Sequence, residues 1–165
     1  MRATLLFVVR SGRVLLIRKK RGLGAGKING PGGRIEAGES ALEGAVREVF
    51  EELRITVLDA DLRGELHFDF ADGLRLHCLV YLATKFDGEP TETDEAVPLW
   101  TPVSDIPFEQ MWADDPRWLP QLLDGQKFRA WFKFDGEQML WEDVKIGEGP
   151  SRHHEAPASV SEGDG

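Results

Sequence analysis

Four glutamates, Glu39, Glu48, Glu51 and Glu52, stand beside a glycine-rich turn that closes at Gly33. Glu48, Glu51 and Glu52 are spaced i, i+3 and i+4, so on a helix they share one face. Carboxylates crowded there repel one another unless a cation sits among them. An all-oxygen ligand set suits a hard divalent ion, Mg²⁺ or Mn²⁺ in its place, which keeps waters and takes phosphate oxygens as further ligands. The chemistry on offer is metal-assisted work on phosphates. Arg47, one turn before Glu51, can pair with it and aim its carboxylate.

The elements that must position these groups are legible nearby. Leu42, Ala45, Val46, Val49 and Leu53 make an apolar stripe at helical spacing, which predicts a helix packed from behind with its acids in front. Ser40 and Glu43 form a capping box, so the helix begins near Ala41. Before it, Thr4–Val9 and Arg13–Arg18 read as strands joined at Ser11-Gly12. After it, strands are expected at Ile55–Leu58, Leu62–Phe70, Leu74–Phe86 and Val97–Thr101. Asp115-Pro116 predicts a second helix, with Asp115 as N-cap, Pro116 at the first helical position and Gly125 as its stop. Phe128–Phe134 and Gln138–Val144 close the pattern as a hairpin around Asp135-Gly136. Strands interleaved with two helices indicate an α/β (α+β) fold with a mixed sheet.

The residues Gly33, Glu39, Arg47, Glu48, Val49, Glu51, Glu52 and Ile55 fit G-x5-E-x7-R-E-U-x-E-E-x-G-U, with U aliphatic, at every position but one. This resembles the Nudix box, the signature of Mg²⁺-dependent hydrolases of nucleoside diphosphates linked to another group. The departure is Arg54 in place of the last glycine. A side chain in the left-handed conformation usual there costs about 1 kcal/mol, so the helix is expected to end in another way, with Arg54 toward solvent. Lys19–Gly33, Asp105–Asp115 and Phe132-Lys-Phe-Asp-Gly136 are similar to one branch of that family, the MutT homologues that hydrolyse oxidised purine nucleoside triphosphates.

That resemblance implies the Nudix fold, a mixed β-sheet sandwiched between helices. It implies metal ligands at Gly32 (through its carbonyl), Glu48, Glu51, Glu52 and Glu95, with Arg47 in the catalytic machinery. It implies a nucleotide held by Thr4, Lys19, Asn29, Pro31, Gly32, Gly33, Arg34, Trp112, Ala113, Asp114 and Asp115. Among these, Asn29, Asp114 and Asp115 would read the base edge and Trp112 would lie against the purine. Adjacent acids in an enclosed pocket do not both ionise, so one can donate while the other accepts. Leu23, Ile28 and Pro31 replace aromatic residues of mammalian relatives, which implies a pocket poorer in aromatic surface. The implied reaction yields a nucleoside monophosphate and pyrophosphate from 8-oxo-dGTP or 2-hydroxy-dATP. Alternatives are another Nudix substrate such as ADP-ribose, a dinucleoside polyphosphate or an mRNA cap, a non-catalytic nucleotide-sensing module, and an isoprenoid diphosphate isomerase. The intact acids and the Trp112–Asp115 segment argue against them.

Composition sets the bounds. A chain of 165 residues, 41% hydrophobic, forms one domain with a proper core. A net charge of −9 argues against a nucleic-acid polymer as partner, and an acidic protein that handles phosphates needs a metal or a few local cations. The small nucleoside triphosphate partner is what the resemblance implies. A lone cysteine, Cys78, suits a reducing cytoplasm. No apolar run is long enough for a membrane span, and a monomer is expected. Gly22-Leu-Gly-Ala-Gly-Lys27 fits neither the P-loop, broken at Arg21 and Ile28, nor G-x-G-x-x-G, broken at Lys27. It reads as an irregular loop to Gly33 that closes over a ligand, with Lys19, Lys20, Arg21 and Lys27 near the phosphates. His67 and His77 fall in strand-like runs and read as packed or surface residues. The domain is expected to span residues 1–147. Residues 148–165, rich in Gly, Ser, Pro and Glu and carrying His153-His154, read as a disordered acidic tail.

Overall fold

The computed structural model describes residues 1–151. Its strands are β1 (Arg2–Arg10), β2 (Arg13–Lys19), β3 (Ile28–Asn29), β4 (Gly32–Arg34), β5 (Thr56–Val57), β6 (Asp61–Phe70), β7 (Arg75–Ala83), β8 (Phe86–Asp87), β9 (Ala96–Pro102), β10 (Phe128–Asp135) and β11 (Gln138–Ile146). The helices are α1 (Ala41–Leu53) and α2 (Asp115–Leu123), with a single 3₁₀ turn over Phe108–Gln110. The main sheet runs β11-β10-β6-β7-β1-β2-β3, with β4 also paired to β1 and β9 to β2. β1 with β7 and β10 with β6 are parallel; the other pairs in it are antiparallel. The expected mixed sheet between helices is what forms.

The sheet separates two apolar layers. Leu6 and Val8 of β1 pack with Ala45, Val49 and Leu53 of α1. Their neighbour Phe7 packs on the other side with Trp118, Leu119 and Leu122 of α2. Side chains alternate across a strand, so burial on both faces produces the near-continuous apolar run of Thr4–Val9. Each fully buried valine or leucine contributes about 1.5–3 kcal/mol, which binds α1 firmly to one face.

α1 begins as expected. Ser40 Oγ accepts from the Glu43 amide at 3.1 Å and Glu43 Oε1 accepts from the Ser40 amide at 2.7 Å. Its packed face differs from the expected stripe. Leu42 is exposed, and Ala41, Gly44 and Glu52 are buried beside Ala45, Val49 and Leu53. Gly44 on the packed face leaves room for Glu39, where a Cβ would meet Glu39 Oε1 at 3.0 Å. The C-terminus also differs from expectation. Arg54 keeps the left-handed conformation (φ 63°) and its amide donates to Phe50 O at 2.8 Å. Its side chain is exposed, as expected, and lies over the Phe50 ring.

Three further expectations are corrected. Leu74–Phe86 is not one strand: β7 ends at Ala83, and β8 pairs separately with β5. Asp59 accepts from the amides of Thr84 and Lys85 and so fixes the bend between them. Gly22–Gly33 is not irregular throughout: β3 pairs with β2, and β4 with β1. At β4 a Cβ on Gly32 would collide with the Thr4 carbonyl, so only glycine allows this approach. Asp115 does not cap α2. Asp114 holds the N-cap position, no side chain caps the helix, and Pro116 stands second in it. Both aspartates turn into the core instead of back along the helix.

The packed chain also runs past residue 147. Glu148 pairs with Arg129 at 3.0 Å, Pro150 is buried, and the Ser151 amide donates to Glu65 at 3.1 Å. Residues 152–165, with His153 and His154, lie outside the described residues. Among the described residues no helix is long and apolar enough to cross a membrane.

Candidate active site

Arg47 organises the acids of α1. Its guanidinium donates to Glu39 at 2.7 and 3.0 Å, to Glu48 at 3.0 Å and to Glu51 at 3.1 Å. It also donates to the Arg34 carbonyl at 2.9 Å, which ties α1 to β4. These bonds hold the Glu39 carboxyl below its ordinary range. Glu48, Glu52 and Glu95 form the tighter group: one oxygen from each lies within 4.8 Å of the others. Glu51 is not among them; it is half exposed and engaged with Arg47. Glu95 comes from the loop before β9. Thr93 brings it there, donating its hydroxyl to the Glu52 carbonyl at 2.7 Å while accepting from the Glu95 amide at 3.2 Å.

The glycine turn shapes this cluster from the other side. Gly32 donates its amide to Glu52 Oε1 at 2.9 Å. A Cβ on Gly33 would stand 2.5 Å from the Glu48 carboxyl, so the absent side chain makes room for the acid. Glu52 is 4% exposed. Burial, opposed by the Gly32 amide and reinforced by Glu48, pushes its pKa up to about 8. Burial also raises Glu48. These groups resist ionising together, which is the condition a divalent cation relieves. Oxygen-only donors, a carboxylate poised to lose its proton and the room that Gly33 leaves for Glu48 fit a hard divalent ion.

A second set of acids lies across the sheet. Asp114 and Asp115 are 2% and 8% exposed at the head of α2. Asp114 Oδ2 accepts from the Trp118 indole N–H at 2.9 Å. Burial raises Asp114 to about 6, and burial together with the Asp114 charge raises Asp115 well above the carboxylate range. Burial and mutual repulsion therefore oppose ionising both carboxyls together, which favours a shared proton. Both line a cavity of ≈ 390 Å³ that reaches to Thr4, Lys19, Gly32 and Gly33. That volume suits a small-molecule ligand.

Residues 1–122 match the NUDIX domain model. The chain belongs to the NUDIX family. It is 44% identical over 140 residues to the oxidized purine nucleoside triphosphate hydrolase of Danio rerio, a match covering 84% of this chain and 90% of that one. It is 39% identical over 138 residues to the protein of the same name from Mus musculus, covering 83% and 88%. Among solved structures, the mutator MutT protein of Bacillus halodurans superposes with a TM-score of 0.76 at 29% identity, covering 87% of this chain and 97% of that one.

Within this NUDIX domain the structure gathers most of the residues singled out from sequence. Thr4, Lys19, Asn29, Gly32, Gly33, Arg34, Trp112, Asp114 and Asp115 line the cavity. Pro31 and Ala113 do not. Pro31 is buried, its carbonyl accepting from the Leu6 amide at 2.8 Å, and Ala113 faces solvent. Of the four cations expected near phosphates, Lys19 alone lines the cavity. Lys20, Arg21 and Lys27 pair with Glu92, Glu95 and Glu137.

Aromatic surface is supplied from an unexpected direction. Leu23 lines the cavity, but Ile28 is packed in the core behind it. Phe7, Phe68, Phe70 and Phe134 form walls together with Trp112 and Trp118. Sequence reading missed these phenylalanines as site residues. The signal was present: Leu66, Phe68 and Phe70 alternate on one face of their strand, and parallel pairing sets Phe70 beside Phe134.

Proposed function

We propose that this chain is a metal-dependent nucleoside triphosphate diphosphatase that removes oxidised purine nucleotides, 8-oxo-dGTP and 2-hydroxy-dATP, from the nucleotide pool. The observation that carries this reading is the pairing of two sites on one cavity. Asp114 and Asp115 lie in its wall, and Gly32-Gly33, which cradle Glu52 and Glu48, lie in it too.

Glu48, Glu52 and Glu95, with the Gly32 carbonyl, would hold Mg²⁺ or Mn²⁺, with Glu51 at the outer edge of the group. When bound, the ion supplies charge neutralisation for the triphosphate and an acidified water. Arg47 keeps the acids oriented through its bonds to Glu39, Glu48 and Glu51. A box glutamate, Glu51 or Glu52, receives the proton as water adds to phosphorus and the P–O–P bridge breaks. The products are a nucleoside monophosphate and pyrophosphate. Lys19, which lines the cavity, would meet the triphosphate there.

At the other end, the half-protonated aspartate pair presents one donor and one acceptor to the purine edge, with Asn29 beside it and Trp112 against the ring. Moving the proton between the two aspartates lets one pocket read more than one purine edge. The protein acts as a monomer in the cytoplasm. Incubation with Mg²⁺ and a panel of 8-oxo-dGTP, 2-hydroxy-dATP, dGTP and ADP-ribose tests the reading. Preferred release of monophosphate and pyrophosphate from the oxidised purines is expected; preference for ADP-ribose overturns it.

A further inference from the structure

A second cluster of metal-binding side chains lies on the opposite face of the sheet from the nucleotide cavity. Phe68 and Cys78 line the cavity. Their chain neighbours His67 and His77 point the other way, by the pleat. His67 and His77 stand directly opposite each other in the β6–β7 pair, and Glu65 lies two residues before His67 on the same face. One ligand atom from each of the three lies within 4.8 Å of the others.

We propose that Glu65, His67 and His77 bind a borderline-soft divalent ion, Zn²⁺ or a neighbour such as Co²⁺ or Ni²⁺. Two imidazoles and one carboxylate are donors these ions favour, unlike the all-oxygen set on α1. His67 Nε2 lies 3.1 Å from Glu65 Oε2, and His77 Nε2 lies 2.6 Å from the same oxygen. A tetrahedral Zn²⁺ with bonds of about 2.0–2.1 Å spaces its ligand atoms roughly 3.3 Å apart. The His67 contact already matches that spacing. The His77 contact needs to open by less than about 1 Å.

The three side chains are held in place. Glu65 is 3% exposed, and its other oxygen accepts from the Ser151 amide at 3.1 Å, which turns Oε2 toward the rings. His67 stacks on His77 (4.5 Å between centroids, 11°) and on Trp131 (5.4 Å, 5°). A cleft lined by His67, His77 and Trp131 brings solvent to the two rings, so water can take part in the coordination. Bound there, the ion clips β6 to β7 and, through Glu65 and Ser151, secures the approach of the C-terminal segment.

Titration calorimetry of the full chain with Zn²⁺, in excess Mg²⁺ to occupy the glutamate cluster, tests the site without turnover. The expected result is one equivalent bound by the wild type. His67→Ala and His77→Gln should each weaken binding at least about tenfold and leave Mg²⁺-dependent turnover unchanged. Equal affinity in wild type and both variants overturns the proposal. So does a loss seen only with His153→Ala/His154→Ala, the other two histidines of the chain. Ring resonances of the unmutated protein read the same site: Zn²⁺ should shift those of His67 and His77, and a titration that leaves them in place also overturns it.

Discussion

Glu48 and Glu52 on α1 and Asp114 and Asp115 at the head of α2 face one electrostatic problem, acid packed against acid, and meet it in opposite ways. The glutamates have a bond from Arg47 to Glu48, the Gly32 amide on Glu52 and a third acid, Glu95, from a distant loop. That arrangement is relieved by a divalent cation. The aspartates lie in the cavity wall, Asp114 bonded to the Trp118 indole. With no cation in their hydrogen-bond partners, they are relieved by a proton. On the proposed reading, the same residue chemistry serves as an ion site in one place and as a reader of hydrogen-bond polarity in the other because the neighbours differ.

The strongest way to break this comparison is Glu52→Gln. Turnover should fall about 10²–10⁴-fold with KM little changed, while the metal-free protein at neutral pH melts no lower, since a buried, mostly protonated acid is replaced by a neutral amide of the same shape. A lower melting temperature with activity retained would place Glu52 in structure and not in chemistry. Asp114→Asn comes next. It unbalances the donor–acceptor pair and should reduce the kcat/KM preference for 8-oxo-dGTP over dGTP about tenfold or more, at about 1–3 kcal/mol for an unmatched polar group. Turnover of both substrates reduced equally would put the aspartate outside base selection.

Proton counting sharpens the contrast. Glu52, raised to about 8, is mostly protonated at neutral pH without metal. Mg²⁺ uptake at pH 7 should therefore release up to about one proton, measured by calorimetry in buffers of different ionisation enthalpy. Glu52→Gln should abolish the release, and Asp114→Asn should not. Stability follows the same sign. Glu52 and Asp114 are raised, from 4.5 to about 8 and from 3.8 to about 6, so the folded state binds the extra protons. Their contribution is full below the lower values and is lost as pH rises through the higher ones. Melting of the metal-free protein should decline from about pH 4 to 8 from these groups, and Mg²⁺ should flatten the upper part of that decline. The smallest effect is expected at Arg54→Gly. Removing a side chain from φ 63° should raise stability by about 1 kcal/mol and leave activity as it was, read by denaturant melting.

The glutamate side of the comparison was largely legible in sequence and the aspartate side only in part. Helical spacing and a capping box are local signals, so α1, its start and its acidic face follow from adjacent residues. Spacing grouped Glu51 with Glu48 and Glu52, whereas the structure groups Glu95 with them. That substitution depends on a loop anchored by Thr93 to the end of α1, a contact across 41 positions of chain. Asp115 before Pro116 carries the local signature of a cap. The cavity draws both aspartates inward, and no local rule sees a cavity. The phenylalanine walls depend on which strands become neighbours, and β6 joins β10 in parallel across a long stretch of sequence.

The pleat of β1 has a consequence for how such a protein can change over generations. Phe7 belongs to the layer around the cavity, while Leu6 and Val8 on either side of it belong to the layer behind α1. On the proposed reading, a substitution at Phe7 reshapes the purine side of the cavity while the layer that holds α1 and its glutamates keeps its own packing.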